Sequence, residues 1–503
     1  MSSTPTRTVI AVVLFAPLAV LQMTAVLPAA DLEWGGFRGP NASGISNSAG
    51  LPVEFGPGKN MVWVADVPFG RSSPAIAGDR IFLTAVDDGK LVTLALDRET
   101  GKEMWRWEVE RLERAEFHTA TDSATPSPAT DGENVYAFFQ EAGLVSYDRS
   151  GKERWRVPLG PFRNFYGMAA SPVLAGDRLF VLCDQAEGSF LLAVDKNSGE
   201  ELWRKKRPAR LEAYTTPILY PSAEEPKALL VSGSRWVDAY DLATGKILWT
   251  LGGVASGPIS SPVLMGDTLY VSGIDHAENG WAPFGPLLEE HDKDGDGELS
   301  REDVAEAWIA EHFGWLNADG EGNITAEDWE RLEREMVNEQ WGVHAIRVGD
   351  GTAETVWNYR QNVPYIPSPL IHDGVYYMVK DDIVTSLDAR TGELLRRDRL
   401  GGEEKSKVYA SPVAADGKIY IGTLKGDVVV LQAGAQWSVL ATNALGDEIW
   451  ASPAIAEDHL YVRTKEKLYS FARLSEPAEP AEPAKPGSEV EAPAVTAEQE
   501  ETR

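Results

Sequence analysis

A chain of 503 residues with 43 % apolar residues is long enough for one large closed architecture with additions. Its formal net charge of −30 repels a phosphate backbone, which makes nucleic acid a poor partner. The single cysteine, Cys183, excludes an intrachain disulfide, a CxxCH haem attachment and a CxxC zinc site.

Residues 1–30 read as an export signal. Arg7 precedes an apolar stretch over 9–27, interrupted by Pro17 and Gln22, and Pro28-Ala29-Ala30 then meets Asp31. Cleavage near Ala30 is expected, and an uncleaved anchor is the alternative, because such a stretch nearly spans a bilayer. Either way the expected location is periplasmic or cell-envelope associated. Residues 31–58 form a lead-in.

From residue 59 the chain repeats. Ser-Pro or Thr-Pro followed by a short apolar run occurs at Ser73, Ser127, Ser171, Thr216, Ser261, Ser368, Ser411 and Ser452. The spacing is 41 to 54 residues, except for 107 between Ser261 and Ser368. Each unit adds a turn and strand such as Gly176-Asp177-Arg178-Leu179-Phe180-Val181, then a strand ending in aspartate such as Leu94-Ala95-Leu96-Asp97. A Thr-Gly or Ser-Gly turn then leads to a tryptophan strand, as in Thr100-Gly101 before Trp105. Four short strands per unit at a period in the forties predict the blades of a β-propeller. Trp63, Trp105, Trp155, Trp203, Trp249 and Trp357 recur once per blade and read as inter-blade packing. Cys183, in an apolar strand run, reads as a buried small hydrophobe. Residues 59–274 thus hold blades one to four and the start of blade five.

The long gap holds an insertion, 275–341. Asp292-Lys293-Asp294-Gly295-Asp296-Gly297-Glu298-Leu299-Ser300-Arg301-Glu302-Asp303 matches a twelve-residue EF-hand loop. Asp292, Asp294 and Asp296 place carboxylates at positions 1, 3 and 5, Gly297 turns the chain, and Glu298 offers its carbonyl. Position 12 is Asp303 rather than glutamate, whose shorter arm weakens calcium binding or adds magnesium character. A poorer second loop has Asn317, Asp319, Glu321, Asn323 and Asp328 in the corresponding places. Leu299 and Ile324 could pair across the two loops. Residues 326–340 read as helix, and Trp308, Trp315 and Trp329 as a small core.

Residues 342–473 complete blade five and supply blades six to eight. Arg396 and Leu440 stand near where tryptophan is expected, and Trp437 is out of step. Unit eight ends without its tryptophan strand, while Lys59-Asn60-Met61-Val62-Trp63-Val64 belongs to no complete unit. Residues 59–68 are therefore expected to close blade eight, since closure removes exposed sheet edges. The tail, 474–503, is Pro, Ala and Glu and is expected to be disordered. The fold class is all-β: an eight-bladed propeller with a small α-helical EF-hand insertion in blade five.

The pattern Ala95-Leu96-Asp97-Arg98-Glu99-Thr100-Gly101-Lys102-Glu103-Met104-Trp105 resembles the tryptophan-docking repeat of eight-bladed quinoprotein propellers. Phe37-Arg38-Gly39-Pro40-Asn41-Ala42-Ser43-Gly44 looks like the start of exported bacterial PQQ-like repeat proteins. That group includes pyrroloquinoline-quinone (PQQ) dehydrogenases and non-enzymatic relatives similar to the B subunit of the outer-membrane β-barrel assembly machinery. The resemblance implies a ligand-bearing funnel at the face where the Ser-Pro strands begin. Residues shortly before each pair there include Arg71, His118, Arg163, Tyr166, Arg210, Tyr214, Tyr365, Lys407, Tyr409 and Trp450, an aromatic and partly basic rim. The expected function is that of an exported, calcium-binding, non-enzymatic binding or scaffold protein. It would be a monomer whose funnel takes an envelope protein or an anionic or sugar-like ligand, with the calcium domain as a lid. The alternative is a PQQ-dependent oxidoreductase, although a fold alone decides no function.

Overall fold

Alternating apolar strands joined by glycine turns must find a sheet that buries one row of side chains after another. The computed structural model describes residues 34–112, 118, 121–186, 188–207, 212–255, 257–274, 283–305, 309–310, 313, 316–317, 322–338, 340–349, 351–401 and 405–474. Among them, 32 strands form eight four-stranded antiparallel sheets. Blades one to seven lie within 75–109, 129–157, 173–206, 218–252, 263–359, 370–399 and 413–444. Blade eight takes three strands from 454–472 and its fourth from Met61–Asp66, which pairs antiparallel with Lys467–Ala472. The ring is thereby closed by its own N-terminal strand.

Tryptophan and glycine lock neighbouring blades. A Cβ on Gly101 (φ 70°) would meet the Trp63 ring at 2.5 Å, and the indole Nε1 of Trp63 donates to the Arg98 carbonyl at 2.9 Å. Trp105, Trp155, Trp203 and Trp357 repeat this over Gly151, Gly199, Gly245 and Gly392 of the following blade. Blades six and seven reverse the partners. The Arg396 guanidinium lies 4.8 Å from the ring centre of Trp437, which sits buried in the turn of blade seven. Cys183 is buried, and burial pushes its thiol pKa up.

The lead-in does more than enter the ring. Trp34 bridges Ile76 of blade one, and the Gly35 carbonyl accepts from Thr130 of blade two. Asn41 exchanges two hydrogen bonds with Leu219 of blade four, and Ile45 bridges Ala414 of blade seven. Arg38, fully buried, donates to the carbonyls of Ala42, Pro369 and Pro412. Desolvation lowers its pKa to about 9. This segment therefore crosses the propeller axis and plugs one end.

The insertion separates Thr268–Gly273 from Gly342–Gly349, which nevertheless pair as second and third strands of blade five. Antiparallel order returns the chain to one face at every second-to-third and fourth-to-first connection, so the insertion leaves from the face where the first strands begin. It holds helices α1 (Phe284–His291) and α2 (Ala326–Asn338) and an antiparallel bridge between Leu299 and Ile324. Leu287, Val304, Phe313, Leu316 and Trp329 pack around that bridge. Trp308 and Trp315 lie outside the described residues. No helix among the described residues is long and apolar enough to cross a membrane, and residues 1–33 and 475–503 are not among them.

Candidate functional site

The eight Ser/Thr-Pro pairs meet at the axis. The Ser73 N–H donates to Ser127 Oγ at 2.9 Å, and the relay continues through Ser171, Thr216, Ser261, Ser368, Ser411 and Ser452. The Ser452 N–H returns to Ser73 Oγ at 3.0 Å, completing a circle of eight bonds. A hydroxyl must follow the turn here because the first strand has no neighbour on its inner edge to satisfy that N–H. Proline then suits the next position, having no N–H to place. All eight side chains line a cavity of about 240 Å³ on the axis. Phe37 of the plug also lines it.

Aromatic side chains form the cavity wall. Tyr166 packs edge-on against Tyr214 and Tyr365, with ring centres 5.4 and 6.3 Å away, and Tyr409 packs against Trp450 at 5.0 Å. The Tyr214 hydroxyl donates to Glu212, and burial followed by that carboxylate pushes its pKa well up. Burial also raises the Glu212 carboxyl, which accepts the Phe165 N–H at 2.8 Å. Arg71 stacks 4.1 Å over the Trp450 ring. Desolvation lowers its pKa, and the nearby Asp122 and Glu448 carboxylates oppose that shift.

Of the basic candidates among the described residues, Arg71 lines the cavity. Arg163 is exposed and does not line the cavity: its backbone N–H and carbonyl are tied to Gln185 and Ala186, which leaves the side chain in solvent. Lys407 is likewise exposed and outside the lining. Arg210 lies outside the described residues. Its described neighbour Arg207 is fully buried and bonded to Asp184 and Asp238 between blades three and four. Among the described lining residues no Asp or Glu appears, and Arg71 is the sole Lys or Arg. A PQQ molecule carries three carboxylates and works beside a metal ion in the dehydrogenases the repeat resembles. These residues do not fit that group.

The acidic loop is separate. Carboxylate oxygens of Asp292, Asp294 and Asp296 lie within 4.8 Å of one another. Asp292 also accepts the Gly295 and Gly297 N–H groups at 2.7 and 3.0 Å, which bends the loop around it. Asp303 turns to the Ser300 hydroxyl and the backbone of Ser300 and Lys293, bonds that hold its pKa below the usual carboxylate range. In the second loop, Asn317 donates to the Gly322 carbonyl and Asn323 to Glu298 of the first loop. Asp328 is bonded to Thr325 and to Arg331 at 2.7 Å, so a cation already stands at its last position. Asp319 and Glu321 lie outside the described residues. The contributions of Phe37 and of the hydroxyl circle were not anticipated. The even recurrence of Ser/Thr before Pro is the signal that could have found the second.

Residues 56–187, 149–277 and 342–499 match the model of a family described as outer membrane protein assembly factor BamB. The outer membrane protein assembly factor BamB of Burkholderia pseudomallei is 26 % identical over 245 residues, 47 % of this chain and 59 % of that protein. The quinoprotein ethanol dehydrogenase of Pseudomonas aeruginosa is 24 % identical over 241 residues, 45 % of this chain and 37 % of that protein. The chain thus spans less than two thirds of the length of these curated relatives. Among solved structures, BamB from Moraxella catarrhalis gives a TM-score of 0.52 at 14 % identity, covering 82 % of this chain and 99 % of that one. A europium-containing methanol dehydrogenase gives 0.56 at 11 % identity, covering 88 % and 99 %. At such identities the likeness to solved structures shows the fold alone.

Proposed function

This chain belongs to the family of the outer membrane protein assembly factor BamB, and from that premise we propose that it is an exported, calcium-binding, non-enzymatic binding protein of the cell envelope. Residues 1–30 direct export in this reading, the funnel face engages an envelope protein or a small ligand, and 275–341 is a calcium-loaded lid over it. The observation that supports binding over quinone chemistry is the make-up of the axial cavity: aromatic walls, a hydroxyl floor and no carboxylate among its described lining. The convergence of Asp292, Asp294 and Asp296 supports the calcium reading. Calcium would be held by those three, the Glu298 carbonyl and Asp303, with the second loop weaker because Arg331 competes for Asp328.

The test is calorimetry on the full chain with calcium, magnesium and PQQ. We expect calcium binding with a Kd on the order of 10⁻⁵ to 10⁻³ M, weaker than a loop closed by glutamate. Asp292→Asn together with Asp296→Asn should abolish it, and PQQ should give no heat. Stoichiometric PQQ binding would move the reading to an oxidoreductase, and undiminished calcium binding by the double variant would remove the loop assignment.

A further inference from the structure

Eight hydroxyls around one axis is an unusual concentration of donors. Each of these oxygens accepts an N–H from the preceding blade, and among the described residues none of the eight hydroxyl hydrogens is donated to a protein atom. The side chains are only 2 to 4 % exposed, yet they line the cavity. Buried O–H groups need acceptors, so the floor calls for a ligand that presents several oxygens.

The walls narrow the choice. The order of hydrogen bonds round the circle puts blade seven opposite blade three and blade eight opposite blade four. Tyr409 and Trp450 therefore precede the blades opposite those that follow Tyr166 and Tyr214, the Tyr365 hydroxyl of the loop before blade six lies 3.5 Å from that of Tyr166, and Phe37 lines the cavity from the plug. Two opposed aromatic walls suit a ligand with apolar faces. The one lining arginine, Arg71, lies against Trp450 and near Asp122 and Glu448, and the one lining imidazole, His118, packs edge-on against Tyr166, so no Lys or Arg among the described lining residues is left without a nearby carboxylate. An anion would be desolvated there without a matching cation. A planar apolar molecule would satisfy the walls and leave the floor unpaired. Drug-sized ligands occupy pockets of about 300 to 1,000 Å³. At about 240 Å³ this one suits a single ring.

We propose that the axial cup binds one neutral pyranose unit, its oxygens accepting from the hydroxyl floor and its C–H faces packed between the Tyr166–Tyr214 and Tyr409–Trp450 walls. The proposal rests on the binding function given above and names its small ligand. The walls orient the ring and the floor reads its oxygens, while the plug sets how deep it can go.

The experiment is tryptophan fluorescence and saturation-transfer NMR on the full chain with glucose, galactose, N-acetylglucosamine and glucuronate. At least one neutral sugar should give saturable, millimolar binding, and glucuronate should bind about tenfold more weakly than glucose, the cost of an uncompensated charge. Tyr409→Ala should weaken the neutral sugar about tenfold, and Tyr409→Phe should not. Tyr166→Ala offers the same readout should Tyr409→Ala fail to fold. Absence of saturable binding by every neutral sugar, equal binding of glucuronate, or affinity unchanged in the alanine variants would each overturn the proposal. Calcium binding or capture of an envelope protein that persists while all sugars fail would leave the broader binding function standing.

Discussion

A serine placed before a proline does two things here: its oxygen ties one blade to the previous one, and its hydroxyl faces the axis. Ser127→Ala removes the acceptor for the buried Ser73 N–H and should cost about 1–3 kcal/mol, read as a lower urea midpoint with an unchanged slope. A parent-like midpoint would mean that the circle adds nothing to stability. Residue identity was legible where it repeated and obscure where it did not. Tyr166 and Arg163 stand three apart in one loop, five and eight residues before Ser171. One lines the cavity and the other is exposed, with the Gln185 and Ala186 contacts fixing the backbone at Arg163. No spacing rule distinguishes such neighbours. The reversed pair of Arg396 and Trp437 is similar, since a stacked cation can stand where the repeat has an indole only if the opposite turn supplies the ring.

Elements follow from shorter-range rules and were read more fully. Alternation and glycine turns set the strands, and the first loop's spacing set the converging carboxylates. The break in blade five was also visible, because Gly273 and Gly342 pair directly and the residues between need not disturb the ladder. The strand that resumes there, Gly342–Gly349, carries a pH-sensitive group. Burial holds the His344 imidazole below its ordinary 6.5, with Gln340 and Asn358 beside Nε2 and Arg360 nearby. The unfolded chain then takes up the proton first as pH falls, so this contribution to stability is full above pH 6.5 and is lost below it. The melting temperature should drop between about pH 7.5 and about 5.5, and less so in His344→Gln. An identical slope in the variant would assign the loss to other groups. The Arg331 contact with Asp328 was not legible, because a helix's i,i+3 pair competes with a metal only once the helix, which begins at Ala326, is seen to take in the loop's last position.

At the scale of the whole molecule, closure decides stability. Met61–Asp66 is the fourth strand of blade eight, and Trp63 reaches from it to blade one. Deleting residues 59–68 removes that indole, worth about 3–5 kcal/mol in a core, and exposes Lys467–Ala472 as a free edge. The melting temperature should fall by roughly 10 °C or more, with aggregation in light scattering. An unchanged melt would contradict a closed ring. The sequence by itself determined the number of blades, the blade that is interrupted, the strand that closes the circle and the residues of the acidic loop. These rest on local periodicity and fixed spacing, which a linear chain displays directly. The tertiary structure alone decided that the lead-in crosses the axis with Arg38 buried among carbonyls, that eight hydroxyls bond head to tail, and which rim side chains face inward. Each of those depends on blades far apart in the chain arriving at one axis, and no pattern of neighbours along the sequence carries that geometry.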